Sequence, residues 1–338
     1  MSISANALVM KEININLVRR TLKLKQAATK HQIAEATGLS TVTIATILQK
    51  LIEENVVFDA GLVASMGGRP AQLFRFNENH SHVLVLFMHE KDGLDMLYVR
   101  VANLNGVPVY EAESPITEIN LHTFEPYMDA ALQEYPTIRA IGFGLPGVEW
   151  GGSVLFADYP ALTGTAFLAH YQRRYQLPLT FENDVNAASV GYCKRNQIEA
   201  EAATMYLYFP QKYPPGGGIY LNGGLYKGYS NYAGEVADMP LGIDWRDQSL
   251  YTSPERVCEA ISTLITAISV LLNPHMVILY GAFLTDAHLR EIQRRCAARL
   301  SANVVPQVSL TADFTLDYQN GMIEETLALL EPQRSLSL

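Results

Sequence analysis

The sequence predicts an α/β protein in which a small helical head precedes a larger region of alternating strands and helices. Two short helices separated by Gly38-Leu39-Ser40 come first, followed by a hairpin pattern that ends at residue 76. From His80 onward, apolar strand-like segments alternate with helical ones, which is typical of α/β architecture with mixed sheets. The chain has 338 residues, 49% of them hydrophobic and 17% charged, which suffices for two or three packed units.

The head begins with the pattern of a helix-turn-helix. Thr29 to Thr37 contains helix formers with Ile33 on one side, and after the glycine break a second helix starts near Thr41. Ser40 is the predicted N-cap of this second helix. The apolar residues at three- and four-residue spacing, which we expect to pack inward, are Ile44, Ile47, Leu48, Leu51 and Ile52.

Small polar residues occupy the start and the opposite face of the second helix. Hydroxyl and amide side chains in this position can reach base edges or phosphates in the major groove of DNA. They carry no charge, so the affinity has to come from other residues. The predicted DNA-contacting residues of this helix are Ser40, Thr41, Thr43, Thr46 and Gln49.

A hairpin follows the two helices. Val56-Val57-Phe58 is typical of a strand, Gly67-Gly68-Arg69-Pro70 of a turn, and the segment from Ala71 to Phe76 of a returning strand. Together with the helix pair this pattern predicts a winged helix with Arg69 at the tip of the wing. A guanidinium there is suited to a DNA minor groove. An ordinary hairpin with a solvated arginine is the alternative.

Positive charge is concentrated in the head. Residues 1–75 contain nine Lys or Arg and five Asp or Glu, a net charge of +4, whereas the whole chain carries −9. Such a cluster can neutralise phosphates, although a solvated helix face would show the same composition. The residues that supply most of the charge are Arg19, Arg20, Lys23, Lys25 and Lys30.

The termini and cysteines exclude several classes of protein. The first residues lack the basic start, apolar core and cleavage site of a signal peptide, and no apolar run has membrane-spanning length, so we expect a cytoplasmic protein. The three cysteines are scattered without a CxxC pair, which indicates buried free thiols rather than a redox or zinc site. They are Cys193, Cys258 and Cys296.

The larger region shows two series of strands, with a predicted ligand cleft between the two halves. In the first series Asn105-Gly106 is a predicted turn. The later part contains a helix predicted from Ser253 to Leu272. The predicted strand segments include HVLVLFMHE, LDMLYVRVANLNGVPVYEAE, RAIGFGLPGV, LPLTFEND, TMYLYFP, GGIYLNGGLYKG and MVILYGAFL.

The order of these motifs resembles the ROK family of repressors, open reading frames and kinases. The resemblance covers essentially the whole chain: GRPAQLFRFN resembles the wing of the family's repressors, and IGFGLPGV, LPLTFENDVNAA, LNGGLYKGYSNYAGE and VILYGAFL follow in the family's order. The resemblance implies a two-lobed sugar-kinase-like (actin-like ATPase) domain after an N-terminal winged helix-turn-helix. The implied domains are residues 1–76 for the head, 77–187 with 312–338 for the first lobe, and 188–311 for the second.

Three sugar-binding positions of the family are matched. In the kinases, the Asp of the Glu-Asn-Asp motif takes the proton from the sugar hydroxyl and its neighbouring Asn holds another hydroxyl; these match Asp184 and Asn183. The sugar-binding Glu of the family's Gly-Glu motif matches Glu235. An amide beside a carboxylate suits a polyol. Without the resemblance, a helix cap before Val185 is the favoured explanation of Asn183 and Asp184.

The phosphate-handling motifs are not matched. Phe87-Met88-His89-Glu90-Lys91 stands where the kinases have an Asp-x-Gly-Gly-Thr turn. Lys212-Tyr213-Pro214-Pro215 precedes three glycines at the second phosphate loop, and consecutive prolines remove two backbone donors. Because phosphoryl transfer depends on positioning and charge neutralisation, we expect no ATP use, no cofactor and no enzymatic activity.

The family's zinc site is not matched either. Asp238 stands at its usual His, and Cys258 alone cannot form the tetrahedral site, so we expect no metal there. Since the family's His also touches the sugar, Asp238 remains a predicted sugar-binding residue. Glu259 is a candidate for the family's later sugar-binding Glu.

These observations predict a regulator that binds double-stranded operator DNA and a small sugar or polyol effector. Two heads on two half-sites require a homodimer or homotetramer. Inducer and corepressor are equally allowed. One alternative is an active ATP-dependent sugar kinase with an N-terminal DNA-binding arm, and another is a ligand-free regulator whose kinase-like part serves as a dimerisation scaffold.

Overall fold

The computed structural model describes residues 3–64, 70–91 and 93–331. Contacts divide the chain into two compact units. The smaller contains the residues up to His82 with the turn Asn103–Val107, and the larger contains Val83–Ala102 and Pro108–Leu330. No helix of the described residues combines the length and hydrophobicity that crossing a membrane requires.

The smaller unit consists of three helices and a three-stranded sheet in the order β1-β3-β2. Both of its strand pairings are antiparallel, and the β2–β3 register shifts between Asp59 and Leu62. The predicted helix pair and the predicted hairpin are therefore both present. The elements are α1 (Ile3–Lys25), β1 (Ala27–Thr29), α2 (Lys30–Thr37), α3 (Thr41–Glu53), β2 (Val57–Val63) and β3 (Ala71–Phe76).

Local signals in the sequence explain where the two central helices begin and end. Thr29 caps α2 through a capping box with Gln32, and Gly38 ends α2 with φ of +70°, a conformation that glycine adopts without steric cost. Four of the five apolar residues predicted to pack inward from α3 are buried, whereas Ile52 is only half-buried. They meet Val18 and Leu22 of α1, which sequence reasoning had not delineated as a helix.

The first half of the larger unit is built on a five-stranded sheet in the order β10-β7-β4-β5-β6. Strands β7 and β10 are parallel, β5 and β6 are antiparallel, and β8 and β9 form a separate hairpin. The elements are β4 (His82–Lys91), β5 (Leu94–Asn103), β6 (Pro108–Pro115), α4 (Glu125–Glu134), β7 (Ile138–Gly144), β8 (Gly147–Trp150), β9 (Ser153–Ala157), α5 (Phe167–Tyr175), β10 (Leu179–Glu182) and α6 (Asp184–Arg195).

The second half is built on a second five-stranded sheet in the order β13-β12-β11-β14-β15. Strands β11, β14 and β15 are parallel, and β12 is antiparallel to β11. The predicted helix from Ser253 starts one residue later because Ser253 is its N-cap. The elements are β11 (Thr204–Tyr208), β12 (Gly216–Leu221), β13 (Gly224–Leu225), α7 (Gln248–Tyr251), α8 (Pro254–Leu272), β14 (Met276–Tyr280), α9 (Asp286–Arg299), β15 (Gln307–Leu310) and α10 (Phe314–Ala328).

Helices α6 and α10 cross closely through two glycines. A Cβ on Gly191 would lie 1.9 Å from the carbonyl oxygen of Asp317, and one on Gly321 would lie 1.7 Å from that of Ala187. Real Cβ atoms do not approach oxygen so closely, so any side chain at either position would push the helices apart. The absence of side chains at Gly191 and Gly321 thus sets the distance between α6 and α10.

A buried carboxylate at the start of α10 ties this helix to its neighbours. Asp317 is fully buried and accepts from Arg195 of α6 at 2.5 Å, from Thr311 at 2.7 Å and from Tyr206 of β11 at 3.1 Å. Burial raises the pKa of Asp317, and these donors oppose the rise. Because β11 belongs to the second sheet, this network connects the two halves of the larger unit.

The contact-based division differs in detail from the predicted domain boundaries. The smaller unit extends past residue 76 to His82 and takes in the predicted Asn105-Gly106 turn, where Gly106 has φ of +76°. Helix α10 packs against α6 and β7, although it lies far from them in sequence. The division of the larger unit into lobes at residues 187 and 312 stays a prediction. The three cysteines are free and buried, as predicted.

Candidate functional site

Helix α3 presents the predicted polar face to solvent. Ser40, Thr41, Thr46 and Gln49 are exposed, whereas Thr43 is half-buried. The Ser40 hydroxyl accepts from the Thr43 backbone N–H at 3.1 Å, which confirms the predicted cap and fixes the start of the helix. The face is therefore accessible along its length, although the Ser40 hydroxyl is already hydrogen-bonded as the helix cap.

One exposed residue of this face was missed by the sequence reasoning. Val42 is 76% exposed, in the first turn of α3 between Thr41 and Thr43. An isopropyl group in this position can contact a thymine methyl group in the major groove. The signal was present in the sequence, since Val42 stands outside the apolar spacing that begins at Ile44.

The described part of the hairpin carries Gln72, whose amide donates to Asp59 across the two strands at 2.5 Å. Strand β1 pairs with the outer side of β3, so the hairpin is anchored to the helical core through a third strand. Arg69, the predicted tip residue, lies outside the described residues.

Some of the basic residues of the head already have partners within the same unit. Lys23 pairs with Glu331 at 3.8 Å, and the ammonium of Lys30 lies 5.6 Å from the centre of the Phe74 ring. Arg20 and Lys25 are exposed. The positive charge free for another molecule is thus smaller than the count from the sequence.

In the larger unit, an open cleft with about 580 Å³ of empty space lies between residues of the two sheets. The first half contributes the ends of β4 and β10 and the start of α6, and the second half contributes β11, β12 and the loop before Glu235. Three of the predicted sugar-binding residues meet here. The lining side chains that can hydrogen-bond are His89, Glu90, Asn183, Asp184, Asn186, Tyr208, Tyr213, Asn231 and Glu235.

Asn183 serves both interpretations that the sequence left open. It is the N-cap of α6, and its side-chain oxygen accepts from the backbone N–H groups of Val185 at 2.9 Å and Asn186 at 3.2 Å. Its amide nitrogen lies 3.4 Å from the carbonyl oxygen of Gly147 and lines the cleft. The cap fixes the side chain, so Asn183 is held in one orientation at the edge of the cleft.

Three carboxyl groups influence each other in and beside the cleft. Burial raises the pKa of Asp184 to about 8, with Asp158 and Glu235 contributing to the rise. Burial also raises the pKa values of Asp158 and Glu235 to about 7. Near neutral pH these groups are partly protonated, so each can donate a hydrogen bond as well as accept one, which suits polyol hydroxyls. Asp158 follows β9 and belonged to none of the motifs identified in the sequence.

Two predicted carboxylates do not line the cleft among the described residues. Asp238 ends a 3-10 turn after Glu235, is exposed, and accepts a hydrogen bond from the Tyr232 hydroxyl. Glu259 lies on α8 and pairs with Arg295 and Arg299. Both of its carboxylate oxygens pair with these arginines and Glu259 does not line the cleft, so its role as a sugar ligand stays a prediction.

The segment that replaces the first phosphate turn continues as a strand. Strand β4 runs on through Lys91, and His89 is buried and stacked on Tyr98 with ring centres 4.8 Å apart. Its Nε2 lies 3.0 Å from the Thr315 hydroxyl, and burial lowers its pKa to about 4. A neutral, packed imidazole therefore occupies this position.

The next residue, Glu90, adds a carboxylate beside the imidazole of His89. The side chain is 8% exposed, and it accepts from the backbone N–H groups of Gly93 at 2.6 Å and Gln211 at 3.3 Å. Both donors are backbone amides of the kind that could otherwise hold phosphate oxygens. The protein thus satisfies these amides with its own negative charge, which opposes a bound phosphate.

The three glycines after the paired prolines lie in a sheet. Gly216, Gly217 and Gly218 pair in antiparallel register with Tyr208, Leu207 and Tyr206. A Cβ on Gly218 would lie 2.6 Å from the Val185 carbonyl oxygen, so the glycine there permits close approach of α6. The three glycines, which could have indicated a phosphate-binding loop, therefore begin strand β12.

A wider cavity with about 1260 Å³ of empty space also includes His89 and Glu90. Of its two basic lining residues, Lys91 is exposed, whereas Arg100 is buried and bonded to Glu111 at 2.9 Å, to Glu113 at 2.8 Å and to Gln319 at 2.6 Å. The guanidinium is neutralised by the protein itself, so it offers little to a triphosphate.

Comparison with known proteins places this geometry in context. No model of a protein family matches the chain. A xylose repressor of Caldicellulosiruptor bescii is 24% identical over 242 residues, which cover 68% of this chain and 59% of the repressor. The match thus spans less than two thirds of that relative's length.

Two solved structures share the fold. A ROK family transcriptional regulator described as a homologue of the E. coli MLC protein superimposes with a TM-score of 0.71 and 16% identity over 95% of this chain and 97% of that one. A ROK hexokinase of Thermus thermophilus gives a TM-score of 0.58 and 16% identity over 73% of this chain and 97% of the hexokinase. The predicted two-lobed sugar-kinase-like fold is confirmed. The chain has the fold of the ROK proteins.

Proposed function

We propose that the protein is a sugar-responsive transcriptional repressor that acts in the cytoplasm. The observation that carries the proposal is the division of features between the two units. The smaller has a helix pair and hairpin with an exposed polar helix face, and the larger keeps a polyol-binding cleft whose phosphate positions are filled by its own strands. A regulator needs both the DNA-binding face and the ligand cleft.

The DNA-binding proposal rests on α3. Its exposed residues supply hydroxyl, amide and methyl groups, which are the groups that read base edges in the major groove. The contacting residues we propose are Ser40, Thr41, Val42, Thr43, Thr46 and Gln49, with Arg69 in the hairpin and the exposed Arg20 and Lys25 adding affinity through phosphates.

The effector proposal rests on the cleft. Asn183, Asp184 and Glu235 converge there, with Asp158 influencing the two carboxyls electrostatically, and partly protonated carboxyls can bond several hydroxyls at once. Asp238 remains a weaker candidate that would need its contact with Tyr232 to be released. Because the relative named above is a xylose repressor, D-xylose is the first sugar to test.

We further propose that the domain does not transfer phosphate. Asp184, which matches the kinases' base, is retained and keeps a sugar kinase as the second candidate. The buried His89 and Glu90 argue against a kinase, because they stand where the kinases have their first phosphate turn. Incubation with ATP, Mg²⁺ and a sugar panel tests this. Sugar-dependent ADP release that disappears in Asp184→Asn would establish the kinase.

Regulation requires a symmetric dimer or tetramer, so that two heads meet two half-sites. In the mechanism we propose, the sugar closes the cleft and changes the spacing of the heads. The effector shifts the balance only by its different affinity for the two states. Size measurement in solution, with and without operator DNA, tests the oligomeric state.

Binding to DNA from upstream of the protein's own gene tests the main proposal. Gln49→Ala on α3 should weaken specific binding about 5- to 150-fold, since one good base contact is worth about 1–3 kcal/mol. Gln133→Ala, an exposed glutamine of α4, is the matched control and should change nothing. Equal affinities of the two variants for competitor-resistant sites would refute the proposed role of α3.

The effector is tested on the same DNA complex. D-xylose or another sugar should change the affinity for DNA, and Glu235→Gln should remove that response while DNA binding without sugar persists. The exposed carboxyl of Glu118 provides a matched Glu118→Gln control. If no sugar at millimolar concentration changes DNA affinity or thermal stability, the larger unit is a scaffold rather than a sensor.

A further inference from the structure

Two histidines and a glutamate converge on the surface of the first half of the larger unit, away from the sugar cleft. His122 lies in the loop before α4, Glu125 is the first residue of α4, and His170 lies on α5. Their nitrogen and oxygen atoms all lie within 4.8 Å of one another. We propose that these three residues bind a divalent first-row transition metal ion, with zinc as the best match.

One nitrogen of each histidine already lies against the same oxygen of Glu125. His122 Nδ1 lies 2.7 Å from Glu125 Oε1, and His170 Nε2 lies 2.8 Å from the same oxygen. In a tetrahedral zinc site with ligand distances of about 2.0–2.1 Å, neighbouring ligand atoms are about 3.3 Å apart. The ion would therefore replace the two hydrogen bonds once each histidine nitrogen has moved about half an ångström farther from the Glu125 oxygen. His122, with its side chain 68% exposed, is free to make that movement.

The donor set suits this class of ion. Two imidazoles and one carboxylate form one of the three-ligand sets of open zinc sites, in which the fourth position is left to water. Imidazole also accepts copper and nickel, whereas magnesium and calcium prefer oxygen ligands only. The three residues thus select for a transition metal.

The neighbouring charges permit a cation. The guanidinium of Arg174 comes within 3.7 Å of Glu125, but it approaches Oε2, the carboxylate oxygen that the two histidines do not contact. The guanidinium is bonded to Asp129 at 2.7 Å, which balances its charge. Glu125 Oε1, the oxygen shared by the two histidines, is on the side away from this pair of charges and remains available to an ion.

The supporting residues fix the site before any ion arrives. The backbone N–H of His122 donates to the Asn120 side chain at 2.8 Å, and the Tyr171 hydroxyl donates to the Leu121 carbonyl at 2.6 Å. Tyr171 is fully buried and neighbours His170 on α5. The loop that carries His122 is thus tied to the helix that carries His170, and little conformational entropy is lost when an ion joins them.

The sequence reasoning missed the site because its ligands are not grouped along the chain. His122 and Glu125 are three residues apart, but His170 follows 45 residues after Glu125. Only the packing of α5 beside α4 brings it into place. A bound ion would cross-link these two helices and stabilise this half of the unit.

Zinc binding by the untagged full-length protein tests the proposal, measured by calorimetry and by competition with a chelating dye. One ion should bind per chain. Loss of outer-shell partners of metal sites costs about 10–100-fold in affinity, so removal of a direct ligand in His122→Ala should cost at least about 100-fold. His170→Ala should do the same, which covers the case in which one variant fails to fold. His31→Ala, an exposed histidine on α2, is the control and should bind as the wild type does.

Cobalt identifies the ligands. Co²⁺ in the wild type should give the visible absorption of a tetrahedral nitrogen and oxygen site, and the band should vanish in His122→Ala. Unchanged zinc affinity in both histidine variants would overturn the proposal, and so would the absence of saturable binding. A cobalt-to-thiolate absorption band would overturn it too, because it would assign the ion to the buried cysteines.

Discussion

Asp184→Asn should stabilise the free protein as the pH rises, although it removes a residue proposed to bind the effector. Burial raises the pKa of Asp184 from 3.8 to about 8, so the folded state holds a proton that the unfolded chain releases. Each unit of difference between the folded and unfolded pKa is worth 1.36 kcal/mol of stability. At pH 7, about three pH units above the unfolded pKa, deprotonation has stabilised the unfolded chain by about three such steps. At pH 7 the buried carboxyl thus lowers the free energy of unfolding of the wild type by up to about 4 kcal/mol. Asparagine does not titrate, so Asp184→Asn would remove this cost.

The sign of the effect sets the pH window. Below about pH 4 both states of the wild type carry the proton, and the carboxyl costs nothing. As the pH rises, the unfolded chain loses its proton first, so wild-type stability falls until about pH 8 and is then constant with respect to this group. The gain from Asp184→Asn should therefore grow between pH 4 and pH 8.

Tryptophan fluorescence during urea unfolding measures this gain, because Trp150 and Trp245 both lie in the larger unit. Glu118→Gln is the control for loss of an exposed carboxyl and should show no pH-dependent gain. If Asp184→Asn is no more stable than the wild type at pH 8, the carboxylate must be ionised and well partnered in the free protein, and the argument from burial fails.

Three further outcomes follow from the packing. Gly321→Ala should cost about 1–3 kcal/mol or more, because its Cβ would meet a backbone oxygen of α6, whereas Gly224→Ala, with open space around it, should cost far less; urea unfolding compares the two. Ser40→Ala should lower the stability of the smaller unit by about 1 kcal/mol through loss of the α3 cap, visible in hydrogen exchange of that helix, and unchanged exchange would contradict the role of the cap. Lys227→Met should cost about 3–5 kcal/mol, because Lys227 pairs with the buried carboxylate of Glu182; a variant as stable as the wild type would mean that the hydrogen bonds from Asn183 and Asn186 suffice to hold this carboxylate.

Local signals in the sequence predicted much of the fold. The glycine break at residue 38 and the cap at Ser40 located α3, and the returning strand from Ala71 to Phe76 has the predicted bounds. These features depend on backbone conformation and neighbouring hydrogen bonds, which a few adjacent residues determine. The order of motifs then predicted the two-lobed fold, because their spacing carries more information than any single motif.

The candidate site was predicted only in part. Asn183, Asp184 and Glu235 meet in the cleft, but Asp238 turns to Tyr232 and Glu259 to two arginines. Asp158 was not found because no local pattern distinguishes it. Its influence on Asp184 arises from burial in the same region, and burial depends on chain segments distant in sequence.

The small helical head, the α/β region and the loss of the phosphate motifs can be read from the sequence, since each is a property of residues close together in the chain. Three features become visible only in the folded protein: which carboxyls share the cleft, how closely α6 and α10 approach, and that His170 joins His122 and Glu125. All three have the same cause. Electrostatic coupling and close packing depend on distances through space, and these are fixed only when remote segments pack together.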